Sequence, residues 1–387
     1  MRHSRFITAG FALIVFVCGA KAIFASEPVR TTTNGAIAIA NLDQQIAQLR
    51  DEPEVVELLL IRSRFLGDYQ ALERASAIAE ARSTTASDLL QRSRTRSAVH
   101  RFVDALDDLK EAEKIGARRD SVVALRASIL VATGHAAEAI PQLEHDVALN
   151  PGYASRSALA VAYAEVGRFA DADRMYVRAL NHLHTTSPFP YAWSYFARAL
   201  MWTEQAGDRV RGEELYIQAL AYLPEFVAAN IHLAELEMAR GDLTAAFGRL
   251  ESITASTDEP EAIALLGALH VRTGDASRGQ RETAAARESF ESLLSRNPLA
   301  FADHAAEFYL GLGSDPERAW KLSQLNLANR ETGRAYRLAI KAAKATGRNR
   351  EACALVVKGG IRPAQTDSNN CVDSGVRDSD GKRTIKY

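Results

Sequence analysis

The sequence predicts an all-α chain, a solenoid of stacked helix pairs. Three observations predict it. Alanine is abundant, Pro is scarce at 11 in 387 residues, and the Val/Ile/Thr alternation of strands is hard to find. Apolar residues recur at i, i+3, i+4 and i+7 over short stretches, the pattern of an amphipathic helix. Those stretches come in pairs with a glycine between them, and the pairs repeat at a spacing near 34 residues.

The best-formed copy is YASRSALAVAYAEVGRFADADRMYVRAL, residues 153–180. Its first helix carries Leu159, Ala160 and Tyr163. Its second carries Phe169, Ala172, Tyr176 and Ala179, with Gly167 between. Used as a ruler, that glycine gives marks at Gly67, His100, Gly134, Gly167, Gly207, Gly241, Gly274, Gly313 and Gly347. The steps are 33, 34, 33, 40, 34, 33, 39 and 34. The residue after the mark is often Asp, Arg or His, and five residues after it there is usually a small one: Ala105, Ala139, Ala172, Gly212, Ala246, Gly279 and Ala352. Small residues also recur on the first helix, at Ala127, Ala160, Ala234 and Gly267, and Pro151, Pro224, Pro260 and Pro298 close units.

Each recurrence has a physical reason. Glycine adopts the left-handed conformation that ends a helix. Small residues let paired helices approach closely. Large ones such as Phe102, Phe169, Tyr176 and Leu250 fill the seam between units. One pair cannot bury its apolar face alone, so stability is shared between neighbours.

This set of features resembles the tetratricopeptide repeat family over residues 53–362. The resemblance implies a right-handed α-α superhelical solenoid of about 8–9 tetratricopeptide-like helix pairs. It also implies that the first helix of each pair lines a concave groove. Carried over by position, the groove residues are Ser157, Val161 and Glu165; Trp193, Ser194, Ala197, Met201 and Glu204; Ile231, Glu235 and Met238; and His304 and Phe308. The Lys/Asn/Arg clamp by which some family members hold a partner's C-terminal carboxylate is absent there. A partner segment with apolar and basic residues complements this mildly apolar, acidic surface better.

In chain order, residues 1–26 have the plan of a secretory signal peptide. Arg2, His3 and Arg5 precede the apolar run FALIVFV, and Ala20-Lys21-Ala22 offers a cleavage site, with another after Ala25 or Ser26. Cys18 invites a lipoprotein reading, but Val15-Phe16-Val17 before it are too bulky for a lipobox. The expected address is therefore the periplasm, with secretion or anchoring by an uncleaved leader as alternatives. Cleavage takes three basic residues and no acid, so the formal net charge of −1 becomes −4. Nothing in that balance favours nucleic acid, which calls for a basic face.

Residues 27–52 are a polar leader followed by a capping helix with Leu42, Ile46 and Leu49 on one face. Departures from the repeat follow. The unit at His100 lacks the glycine and has a polar first helix, SDLLQRSRTRS. The step of 40 comes from the insert HTTSPFPY, residues 184–191. The step of 39 comes from a longer second helix, Ala276 to Ser295, whose Thr283, Ala286 and Phe290 extend the apolar stripe. Residues 363–387 are rich in Asp, Ser and Asn without periodicity, which predicts a disordered tail.

Few residues suggest chemistry. No nucleophile elbow, P-loop, dinucleotide-binding glycine run or paired CxxC motif occurs. His182 and His184 are two apart and point in different directions on a helix end. Asp303, His304 and Glu307 read either as an exposed polar patch near the groove or as a metal or acid/base site, since His and Glu at i, i+3 share a helix face. Phe189, Tyr191, Trp193, Tyr195, Phe196 and Trp202 form the densest aromatic cluster, read either as a larger local core or as a peptide-gripping ledge. Cys353 and Cys371 either form a disulfide tying the tail to the last unit or stay as two thiols. The function expected is a non-catalytic, cofactor-free scaffold of the cell envelope that binds a peptide or protein partner on its concave face. The alternative is a metal-binding or enzymatic solenoid using Asp303, His304 and Glu307.

Overall fold

A computed structural model describes residues 30–361. The signal-peptide segment, Cys371 and the polar tail lie outside the described residues. The described residues form nineteen α-helices and one short π-helix, with no strand among them. Helix α1 (Gly35–Leu49) is followed by nine helix pairs: α2/α3 (Val55–Leu66, Tyr69–Glu80), α4/α5 (Ala86–Ala98, Phe102–Lys114), α6/α7 (Arg119–Ala132, Ala136–Leu149), α8/α9 (Tyr153–Glu165, Phe169–Asn181), α10/α11 (Phe189–Leu200, Arg209–Tyr222), α12/α13 (Val227–Arg240, Leu243–Thr254), α14/α15 (Pro260–Arg272, Ala276–Arg296), α16/α17 (Pro298–Leu310, Pro316–Asn329) and α18/α19 (Gly333–Ala345, Asn349–Lys358). Each packs mainly on its sequence neighbours, as a solenoid requires.

A left-handed residue ends the first helix of each pair, and in five of the nine the Asp that follows it caps the second. Asp68, Asp208, Asp242 and Asp275 accept backbone N–H bonds from Ala71, Arg211, Ala245 and Arg278 at 2.9, 3.1, 3.2 and 3.0 Å. Such a cap is worth about 1 kcal/mol. His100 fills the glycine position of its unit and still takes the left-handed conformation, φ +58°. In the eighth pair the ruler is off by one: Ser314, not Gly313, is left-handed, and Asp315 caps α17.

Small residues sit where helices touch. Ala160, Ala172, Ala234 and Ala246 are fully buried. Between α14 and α15, Gly267 and Gly279 face each other so closely that a Cβ on Gly267 would stand 3.0 Å from the Gly279 carbonyl oxygen. Phe102, Tyr176 and Leu250 are buried in the seams, and Phe169 is half-buried against Trp202. Leu42 and Ile46 of α1 are buried against α2 and α3, with Leu49 half-buried beside them. The polar first helix α4 is accommodated by charge: Arg92 and Arg96 both reach the buried Asp108 of α5, at 2.6 and 3.0 Å.

The superhelix closes on itself. The turns inside the early pairs touch the loops between the late ones, roughly 150 to 230 residues away in sequence. Thr33 N–H donates to the Thr186 carbonyl at 2.7 Å. Thr257 Oγ1 donates to the Gly67 carbonyl at 3.4 Å, and Tyr69 Oη donates to Glu259. His100 Nδ1 lies 3.1 Å from the Leu299 carbonyl, and Asn329 donates to the His100 carbonyl at 2.9 Å. Glu331 N–H donates to Thr133 at 3.1 Å, and Arg330 Nε to Ala132 at 3.2 Å. Gly134, φ +95°, lies so close to Glu331 that a Cβ there would overlap its carbonyl. Apolar packing runs alongside: Phe65 meets Phe189 and Phe226 at 5.0 and 4.7 Å, Tyr69 meets Phe301 at 4.9 Å, and Leu72 and Val99 join the core around Phe290.

Candidate functional site

Because the superhelix closes, its inner face is an enclosed interior rather than an open trough. First-helix side chains from distant pairs sense one another's charge across it. Glu165 on α8 feels Arg330, Arg334 and Arg337. Arg334 on α18 feels Glu307, Asp303, Glu261 and Glu204, from α16, α14 and the π-helix.

At the centre is His304 on α16. Its Nδ1 lies 2.6 Å from Glu261 Oε1, and Asp303 Oδ1 accepts the His304 backbone N–H at 3.0 Å. The charge of Glu261 raises the His304 imidazole to about 10. Burial pushes Glu261 upward, but the charge and hydrogen bond of His304 outweigh it and bring it down to about 2. Burial acts on Asp303 in the same sense and is outweighed by His304, Arg334 and Arg330, which hold it well below the usual carboxylate range. His304 is therefore a cation at neutral pH. Its side chain keeps 39% of its surface exposed although protein surrounds it, so water reaches this interior.

Asp303, His304 and Glu307 do not converge. Asp303 approaches Arg330 at 3.6 Å, His304 pairs with Glu261, and Glu307 accepts from Arg334 at 3.1 Å. Among the described residues no three His, Cys, Asp or Glu side chains come together in a way that could hold a metal ion.

The other groove candidates divide by burial. Glu165, Glu204 and Glu235 are exposed, and Ser157, Val161, Trp193, Ala197 and Met238 are half-buried. Ser194, Met201, Ile231 and Phe308 are core residues, 0, 2, 4 and 7% exposed, with almost no surface to offer a partner. Met201 opens the π-helix (Met201–Gln205). That turn carries Gln205, which donates to Glu165 at 2.9 Å.

Half of the aromatic cluster is core. Tyr191, Tyr195 and Phe196 are buried. Trp193 is half-buried under the Arg64 guanidinium at 4.9 Å, and Trp202 under Arg211 at 3.8 Å while its Nε1–H donates to Asp173 at 3.2 Å. With both indoles engaged this way, the cluster links neighbouring pairs and, through Phe65 and Arg64, neighbouring turns. Cys353 is buried and disulfide-bonded.

Sequence reasoning missed Glu261, Arg334 and Arg337. A signal was present: Glu261 stands thirteen residues before the left-handed Gly274, and Arg334 thirteen before Gly347. Ser157 and Arg337 both stand ten before theirs. Extending the same offsets to the last pair finds the arginines.

Solved structures with a similar arrangement include a chain of the APC/C hetero-tetramer Cut9-Hcn1, a tetratricopeptide repeat protein from Parabacteroides merdae, and the human IFIT1 dimer with PPP-AAAA. Identities are 16, 12 and 13%, over 84, 75 and 89% of this chain and 63, 99 and 85% of theirs, with TM-scores of 0.45, 0.41 and 0.44. The chain thus spans less than two thirds of the first. No family model matches the sequence, and no curated protein matches it. The fold is that of the tetratricopeptide repeat proteins. Nine helix pairs, left-handed turn residues at a 33–40 residue spacing and close-packed small residues all meet that description. No described helix of this tetratricopeptide array is long and apolar enough to cross a membrane.

Proposed function

We propose that the protein is a non-catalytic scaffold of the cell envelope, exported by its N-terminal leader, that holds a peptide or protein partner on the inner face of the superhelix. What supports this is the inner face: Glu165, Glu204 and Glu235 are exposed carboxylates on three successive pairs, and Glu165 and Glu204 lie within electrostatic range of the α18 arginines. Half-buried Val161, Ala197 and Met238 belong to the same three pairs. Such a surface complements a segment with basic and apolar side chains. The arginines at 334 and 337 set a limit on that segment, since a partner entering at the α18 end meets cations as well as acids.

The test is capture from envelope extract over a range of salt, comparing the natural protein with a Glu165→Lys/Glu204→Lys/Glu235→Lys variant and with an outer-surface control, Arg278→Glu. The proposal expects a partner retained by the natural protein and the control and lost by the triple variant, with capture weakening as salt rises. Equal recovery by all three would overturn it.

A further inference from the structure

We propose that the contact between the α2–α3 turn and the α13–α14 loop, centred on Tyr69 and Glu259, is a proton-linked clasp that fastens the first helix pair to the seventh, one of several contacts that close the superhelix. It rests on the fold and not on the partner proposed above. The geometry is a seam between the first pair and the seventh. Tyr69 Oη donates to the Glu259 carboxylate, Thr257 reaches the Gly67 carbonyl, and Tyr69 packs edge-on against Phe301. Glu259 is only 7% exposed, and a carboxylate so placed carries a desolvation cost that the Tyr69 phenol and the Glu261 backbone N–H, at 3.4 Å, only partly offset.

The groups facing Glu259 from each packed element do not neutralise it. From α3 there is Tyr69, whose own ionisation is pushed far up by burial and by Glu259. Asp68, in the same turn, is paired with Arg62 at 2.7 Å. From α14 there is Glu261, a like charge, whose own cation, His304 of α16, is 2.6 Å from it and acts on Glu259 only at longer range. Burial and the Glu261 charge together raise Glu259 to about 7. A carboxylate released into water returns to its ordinary value near 4.3. Its raised value belongs to the closed state, so closure is favoured when Glu259 holds a proton. That contribution is fully present below the open-state value and is lost as pH rises through about 7.

Beside the clasp runs a cleft of about 500 Å³ lined by Leu66, Tyr69, Val227, Thr257, Ser292 and Arg296. Opening here would leave the neighbour-to-neighbour seams of the solenoid intact, because each pair rests mainly on the next.

The experiment uses the full chain at pH 6 and pH 8.5. Amide-exchange protection factors, corrected for intrinsic rate, are read at 67–72 and 257–263. The natural protein is expected to lose protection there about tenfold at the higher pH. Glu259→Gln is neutral and nearly isosteric, and is expected to stay closed and protected at both. Circular dichroism confirms that each variant is helical. Unchanged protection there in the natural protein would overturn the clasp. So would Glu259→Gln keeping the natural pH response.

Discussion

Two glycines with the same backbone role differ in one respect, and replacing each with alanine separates local from long-range structure. Gly134 and Gly167 are both left-handed, at φ +95° and +76°. A Cβ at Gly167 meets nothing within 4 Å, so Gly167→Ala costs only the strain of a left-handed alanine, about 1–2 kcal/mol. A Cβ at Gly134 runs into the Glu331 carbonyl, so Gly134→Ala must also displace the α17–α18 loop. That breaks the bonds from Glu331 N–H to Thr133 and from Arg330 to Ala132, each worth about 1 kcal/mol net. The expected total is about 3–4 kcal/mol. A repeat array need not unfold as one unit, so the readout is native-state amide exchange, residue by residue. Gly134→Ala should release protection at its own turn and also in residues 330–340, nearly 200 positions away, while Gly167→Ala should act only on α8 and α9. Equal and purely local losses in both variants would refute the closed superhelix.

Other predictions concern the core, the inner charges and the cysteines. Phe290→Ala, at a side chain 1% exposed within the core shared by α15 and α16, is expected to lower the stability of those helices by about 3–5 kcal/mol by local exchange. His304→Gln should destabilise most between about pH 4.5 and 6.5, where Glu261 is ionised and a free histidine would also be charged. The imidazole's share fades as pH rises through about 10, and the Glu261 share as pH falls through about 2, so a penalty independent of pH would contradict the pairing. Non-reducing peptide mapping is expected to join Cys353 to Cys371, and a free thiol at Cys371 would exclude that bridge.

The turn chemistry explains what the sequence made legible. A glycine that must be left-handed and an Asp that must cap are local requirements, so the ruler located the turns, including His100 where no glycine stands. It slipped at Gly313 because the left-handed residue there is Ser314. The insert at 184–191 and the long α15 were visible as broken spacing. The π-helix was not, since apolar spacing does not mark one widened turn, and it places Met201 in the core. Closure was not legible either: Tyr69 with Glu259 and Asn329 with His100 join loops that share no period. With closure unseen, the groove was read as open, and Glu261 and Arg334 went unrecognised as parts of one interior.

The most direct test of that closure is a cysteine pair at Gln70 and Thr257, which line one cleft although 187 positions apart. In the otherwise natural chain, a short thiol-specific cross-linker is expected to join them within one molecule at pH 6. Labelling of both cysteines with no intramolecular link would show that the first pair and the seventh do not meet, and would contradict the enclosed inner face on which this account rests.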